Sequence, residues 1–302
     1  MSGPPRLFDR ALHRRRLARA APRYAGFLKR RAAGDIVERL EAIRREYRVA
    51  VDLGARDGAF ARALAASDAA AKVRLLVETD LSPAMLTGRS GARLVADEER
   101  LPFAAGSLDL VVSSLALHWT NDLVGALIQI RQALKPDGLF VGAILGGATL
   151  SELRTVLTEA ELELRGGAGP RVSPFADAFD AAALLQRAGF ALPVADVDRV
   201  TVRYDHALGL MADLRAMGET SVLVEGAGRP LTRAIVARAA ELYAQRFAAA
   251  DGRIAATFEI LTLTGWSPHE SQQQPLRPGS AKARLADALK TTERSAGEKA
   301  GG

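Results

Sequence analysis

Cysteine is absent from the 302 residues. That excludes disulfides, thiolate zinc ligands and a cysteine nucleophile, and it is compatible with a reducing compartment. Histidine is scarce: His13, His118, His206 and His269 are scattered, and no pair stands at zinc or facial-triad spacing with a carboxylate. No metal site is therefore expected. Long hydrophobic runs are missing too. The longest, such as 139 to 150, contain glycine and fall far short of the roughly 20 residues that cross a bilayer, so no transmembrane segment is expected. The chain carries no G-x-S-x-G elbow, no P-loop and no internal repeat.

What is present can form a large core. Hydrophobic residues make up 48% of the chain, enough for one large domain with an elaboration or two small ones. The net charge is +6, concentrated at the N-terminus, where Arg6, Arg10, Arg14, Arg15, Arg16, Arg19, Arg23, Lys29, Arg30 and Arg31 face only Asp9. Such a segment reads as a solvated basic helix or as a contact surface for protein or nucleic acid. An arginine-rich start also suits a transit peptide, but no clear cleavage region follows.

From 49 to 145, short β-rich runs alternate with helical patterns, which is the signature of βαβ units around a parallel sheet. The expected strands are "RVAVDL", "VRLLVETD", "ARLVAD", "LDLVVSSLAL" and "GLFVGAIL". Leu123, Ala126, Leu127, Ile130 and Leu134 recur at helical spacing after Asn121 and Asp122, with Pro136 and Gly138 as the stop. Helices are expected over 149 to 165 and 176 to 188, then a strand "VADVDRVTVRYD", a helical insertion at 206 to 248 and a final strand "RIAATFEILTLTGW". The order is that of an α/β, Rossmann-like seven-stranded sheet with one reversed strand. The tail from about 279, rich in Gly, Ser, Lys and Ala, is expected to fray.

The chemistry-bearing residues lie at the strand ends. In "VDLGARDGAF", Asp52 closes a strand, Gly54 and Gly58 bracket the turn, and a helix starts near Ala59. A dinucleotide site would need G-x-G-x-x-G, and this turn lacks that spacing. A carboxylate before the bend suits a cationic amino group better than a phosphate. Asp80, followed by Leu81, ends the second strand where an acid can accept both ribose hydroxyls; Asp97 and Glu98 end the third, where an acceptor meets an adenine amine. Ser113 near the fourth strand end completes the candidate cofactor contacts. "SSLALHWTND" lacks the Asn/Asp-Pro-Pro-aromatic run of base-amine methylation, which argues against a nucleic-acid substrate. His118 and Trp119 are candidate catalytic residues there, or they simply pack the strand-to-helix corner.

The chain resembles the class I S-adenosylmethionine methyltransferase family, in the group that includes the mitochondrial complex I assembly factor described as an arginine hydroxylase and its bacterial relatives. The resemblance runs from "LFDRALHRRRLARAA" through "VDLGARDG", "VADEERLPF", "LDLVVSSLALHWTNDL", "LKPDGLFVGAILGGATLSELR", "SPFADAFDAAALLQRAGF" and "LMADLRAMGE" to "GWSPHESQQQPLRPGSA". Because it includes the basic N-terminal segment, it implies that this segment is not a cleaved targeting peptide. It implies S-adenosylmethionine as cofactor and a protein-borne substrate, with complex I subunits as the partner class. The implied location is the bacterial cytoplasm, or the matrix in a mitochondrion.

The family pattern has a glycine where this chain has Arg56. Binding would survive if residue 56 keeps a negative φ with its side chain directed outward, and that is the expectation. A neighbouring group, the malonyl-carrier-protein methyltransferases of biotin synthesis, shares the pattern near "LMADLRAMGE" and implies a helical lid over the site at 206 to 248. The expected organisation is a basic helical segment at 1–45, a methyltransferase-fold domain at 46–270 and a C-terminal extension at 271–302. Modification of an arginine on a respiratory-complex subunit, carboxyl O-methylation of a carrier-borne or small acid, and a non-catalytic assembly chaperone are the three functions this reading carries.

Overall fold

Residues Tyr47–Leu53 form β1, which leaves Arg48 in solvent and buries every side chain from Ala50 to Leu53, as befits a central strand covered on both faces. The computed structural model describes residues 6–225, 230–273, 285–288 and 290–292. The chain separates into one unit from Met1 to Pro268 and a second from His269 to Gly302. The sheet lies in the first. Most of the tail expected to fray lies outside the described residues.

Six further strands follow: β2 (Val73–Asp80), β3 (Ala92–Val95), β4 (Leu108–Ser114), β5 (Leu134–Leu145), β6 (Ala191–Tyr204) and β7 (Ile254–Trp266). They are ordered β3-β2-β1-β4-β5-β7-β6. β1 runs parallel to β2 and β4, and β7 is antiparallel to both β5 and β6, so the reversed strand of the expected seven-stranded sheet is the last one. The chain turns back across the sheet between β1 and β4. Ligands of open α/β sheets bind outside the strand ends at such a switch point.

Helices cover both faces: α1 (Arg10–Ala20), α2 (Phe27–Ala42), α3 (Ala59–Ala65), α4 (Leu123–Ala133), α5 (Ser151–Arg165), α6 (Ala178–Arg187), α7 (Ala207–Ala216) and α8 (Arg233–Phe247). Alternation along the strands builds two cores. Ala50, Leu110, Val112 and Val141 pack with α2, α3, α5 and α8; Val51, Val111, Phe140 and Ile144 pack with α4 and α6.

Two boundaries differ from the sequence reading. The helix after Asp122 stops at Ala133 and β5 begins at Leu134, so Pro136 and Gly138 sit within the strand rather than ending the helix; Asp137 between them takes a positive φ of 62°. β4 ends at Ser114, because Leu115 adopts φ 51° and breaks the extended run. A short turn over Leu117–Trp119 then carries His118 and Trp119 above the sheet.

The N-terminal segment belongs to the same unit as the sheet and spends much of its charge internally. Arg16 donates to the Ser221 carbonyl, Arg31 pairs with Asp198, and Lys29 is buried. Arg14, Arg15, Arg19, Arg23 and Arg30 remain exposed. Ahead of α1, Phe8 bridges to Leu223 beyond α7, with Asp9 N–H donating to the Val222 carbonyl at 2.8 Å. The Asn121 side chain holds both the N–H (2.8 Å) and the carbonyl (3.3 Å) of Phe8.

Candidate functional site

The turn after β1 is built on left-handed backbone. Gly54 and Gly58 have φ of 69° and 76°, where L side chains are strained. A Cβ on Gly54 would collide with Ala116 and lie 3.3 Å from Glu98 Oε1 and 3.4 Å from Arg56 Nη1. Gly54, Arg56 and Glu98 therefore meet at one point. At Gly58 the added Cβ would strike the Arg89 guanidinium, which donates to the Arg56 carbonyl at 2.7 Å and pairs with Glu78.

Arg56 overturns its expectation. Its φ is +51°, and its side chain points inward and is fully buried. The cause is Asp80: the backbone N–H of Arg56 donates to Asp80 Oδ2 at 3.0 Å, and Nη1 donates to the same oxygen at 2.8 Å. Glu98 Oε1 lies 4.0 Å away. Burial works against the charge, but Asp80 and Glu98 more than offset it and raise the guanidinium pKa above its usual value. The left-handed conformation costs of order 1–3 kcal/mol for a non-glycine residue, so the buried pair must overcompensate for it.

The other acids are engaged as well. Asp80 Oδ1 accepts from Ser82 N–H at 2.9 Å. Arg10 of α1 donates to Asp97 Oδ1 at 2.6 Å, to Glu98 Oε2 and to the Trp119 carbonyl at 3.2 Å. Asp97 also caps the Glu99 N–H at 3.0 Å and is a third exposed, so it faces outward while Glu98 faces in. Leu81 packs with Leu17, Ala20 and Met85. The Ser113 hydroxyl donates to the Leu53 carbonyl at 3.0 Å, a tie between β4 and β1.

Asp52 behaves differently. It is fully buried, and neither carboxylate oxygen has a hydrogen-bond partner among the described residues. Burial pushes its pKa up to about 6, against the pull of nearby Lys29. Lys29 on α2 is equally buried and donates to the carbonyls of Gly54 (2.7 Å) and Ser114; burial lowers it to about 8.

His118 and Trp119 form a cluster with a residue the sequence reading did not single out. Glu219, just past α7, accepts from Trp119 Nε1–H at 2.8 Å, and the same oxygen lies 3.1 Å from His118 Nε2. Trp119 is held edge-on by Phe8 at 5.2 Å and tilted on His13 at 5.0 Å. His13 is kept neutral by burial, with Arg56 and Arg10 adding to the effect. Trp119, Glu219 and Phe175 border a cavity of about 430 Å³ between α1, α5 and α7. His118 and Trp119 pack the strand-to-helix corner, and Trp119 also lines the cavity.

Lys29, Arg10 and Glu219 were missed. A lysine buried at the start of a helix carries no local signature, and Glu219 gains its position only from the fold of the "LMADLRAMGE" segment. Among the described residues no cluster of three or more His, Asp or Glu is arranged to hold a metal.

The cofactor implied by the resemblance fits one end of this cleft. Asp52, buried with no hydrogen-bond partner among the described residues, suits an ammonium group. At the other end the fit fails while Arg56 stays in place, because the Asp80 oxygens that would take ribose hydroxyls are held by Arg56 and Ser82.

Comparison with known proteins agrees with this architecture. Residues 51–142 match the model of a methyltransferase domain. The YcgJ protein of Bacillus subtilis superposes with a TM-score of 0.53 at 16% identity, over 79% of this chain and 99% of that one, which establishes the fold alone. The mitochondrial arginine-hydroxylase NDUFAF5 of Danio rerio is 39% identical over 94% of this chain and 90% of its own; the Homo sapiens protein is 40% identical over 91% and 81%. A malonyl-[acyl-carrier protein] O-methyltransferase of Methylovorus sp. is 33% identical over 89% of this chain and 92% of its own. With this extent of identity and this sheet order, the chain belongs to the S-adenosylmethionine-dependent methyltransferase family, in the group of the NDUFAF5 arginine hydroxylases.

Proposed function

We propose that this chain is a protein-modifying enzyme that acts on an arginine side chain of a respiratory complex I subunit during assembly, in a bacterial cytoplasm or a mitochondrial matrix. The NDUFAF5 relatives from Danio rerio and Homo sapiens are named arginine hydroxylases. The observation that carries the reading is the cavity beside Trp119, which pairs long apolar walls from α1, α5 and α7 with the carboxylate of Glu219. A side chain with an aliphatic stem and a cationic tip suits such a space, and a folded protein can present one by inserting it. Exposed Arg14, Arg15 and Arg19 on α1 offer a surface for an acidic partner.

Mass spectrometry of complex I subunits from cells with and without this chain tests the reading. An arginine that carries one added oxygen only when the chain is present is the expected result. Identical arginine masses in both cells would sink it.

A second reading has one observation in its favour. Arg215 on α7 is exposed at the cavity edge, where a carboxylate such as a carrier-borne malonyl group could pair with it. Turnover of a malonyl thioester to its methyl ester would support that reading.

A further inference from the structure

Glu219 stands on the wall between two spaces. On one side is the large cavity, lined by Leu12, Leu153, Val172, Met211 and Leu223; on the other a narrow void reaches Lys29 and Leu115 at the cofactor cleft. Its side chain is only 11% exposed. Oε2 is held by the Trp119 indole at 2.8 Å with His118 Nε2 at 3.1 Å, which fixes the plane of the carboxylate, and Oε1 makes no hydrogen bond among the described residues.

The remaining charges on this cavity do not compete for that oxygen. Arg16 donates to the Ser221 carbonyl, and Arg171 is paired with Glu161 at 2.9 Å. Arg215 and Glu225 are exposed, where solvent screens them. A poorly solvated carboxylate with one oriented acceptor left, at the end of apolar walls, attracts a planar guanidinium on an aliphatic stem far more than a neutral group of the same shape.

We propose that Glu219 binds the guanidinium of the substrate arginine and that this cavity selects arginine over neutral isosteres by charge. The assignment rests on the arginine-modification reading, and it adds the residue that recognises the substrate at the wall facing the cofactor cleft.

The chain has two tryptophans, Trp119 and Trp266. In the full-length Trp266→Phe background, emission therefore reports on Trp119 alone. The probes are N-acetyl-arginine N-methylamide and its citrulline counterpart, which has the same shape without the charge. Saturable binding of the arginine probe is expected, with the citrulline probe at least about tenfold weaker. Glu219→Gln keeps an acceptor for the Trp119 N–H; it should bring the arginine probe down to the citrulline level and leave citrulline binding unchanged. No saturable arginine binding, equal binding of the two probes, or full arginine affinity in Glu219→Gln overturns the assignment. If Glu219→Gln does not fold, the ratio of the two probes on the parent chain still decides. A preference for arginine without modified subunits in cells leaves this site standing and removes the proposed function. Modified subunits without a preference do the reverse.

Discussion

The Arg56 guanidinium donates to Asp80 at 2.8 Å, and both side chains are completely buried. Asp80 is the acid at the end of β2 that the sequence reading assigns to a ribose. The pair is reinforced by Arg10, which pairs with Glu98 from the opposite side. The cleft is thus closed by the protein's own cations, and a cationic ligand must compete with them.

Arg56→Gly removes that competition. Calorimetry should show S-adenosylmethionine binding at least about tenfold tighter than in the wild type. In the ligand-free state the variant should be less stable by about 3–5 kcal/mol, because Asp80 is left buried without its partner, reduced by about 1 kcal/mol from relief of the left-handed backbone. Thermal melts would then show a larger ligand-induced rise in Tm for the variant. Equal affinity in the two proteins would refute the competition.

Asp52 and Lys29 make stability depend on pH. Asp52 titrates near 6 in the folded state against 3.8 ordinarily, so its contribution is fully present below 3.8 and is lost as pH rises through 6. Lys29, lowered to about 8 from 10.5, contributes above 10.5, and that contribution is lost as pH falls through 8. Asp52→Asn should abolish the decline between about pH 4 and 6, worth about 2–3 kcal/mol, in urea titrations. Affinity for an ammonium-bearing ligand should weaken as pH drops below about 6, and this dependence should vanish in the variant. A pH-independent unfolding free energy in the wild type between those values would contradict it.

Arg10→Ala should loosen the N-terminal segment. Glu98, almost fully buried, loses its hydrogen-bonding partner and keeps only the Arg56 guanidinium at 4.0 Å, at a cost of about 1–3 kcal/mol. Hydrogen exchange should accelerate most in α1 and at Asp9, whose N–H donates to Val222, while β1 and β4 amides lose protection only by the drop in global stability. Unchanged exchange in α1 would show that Arg10 does not clamp it.

Trp119→Phe keeps the ring packing with Phe8 and His13 but deletes the N–H that Glu219 accepts at 2.8 Å. A loss of about 2 kcal/mol is expected from a hydrogen bond to a charged acceptor. In a double-mutant cycle with Glu219→Gln the two losses should not add, since each variant weakens the same contact. Strict additivity would separate Trp119 from Glu219.

Much of the fold was legible in the chain itself. The β-rich runs and the 3.6-residue pattern after Asp122 placed the central strands and α4 to within a few residues, because burial on two faces or one writes directly into residue order. That one strand of seven is reversed followed from the order of elements, and the pairing shows it to be the last. The acids at the ends of β1 and β2 were placed correctly for the same reason: strand ends can be read. The left-handed break at Leu115 could not, since leucine does not mark that conformation; Asp137 lies in a Pro-Asp-Gly turn signal that was read as the end of a helix.

Sequence alone determined the sheet, its helical covering and the placing of Asp52, Asp80 and Asp97 at successive strand ends, since these follow from hydrophobic periodicity and chain order; that Glu98 rather than Asp97 turns inward is written only in the tertiary structure. Tertiary structure decided which charge meets which. Arg56 turns inward only because Asp80 sits opposite on β2, Arg10 reaches Glu98 only because Phe8 is tied to Leu223, and Glu219 meets Trp119 only where the segment after α7 folds back. The pairing of buried ions depends on distances of a few ångströms across residues far apart in the chain, and no local pattern encodes those distances.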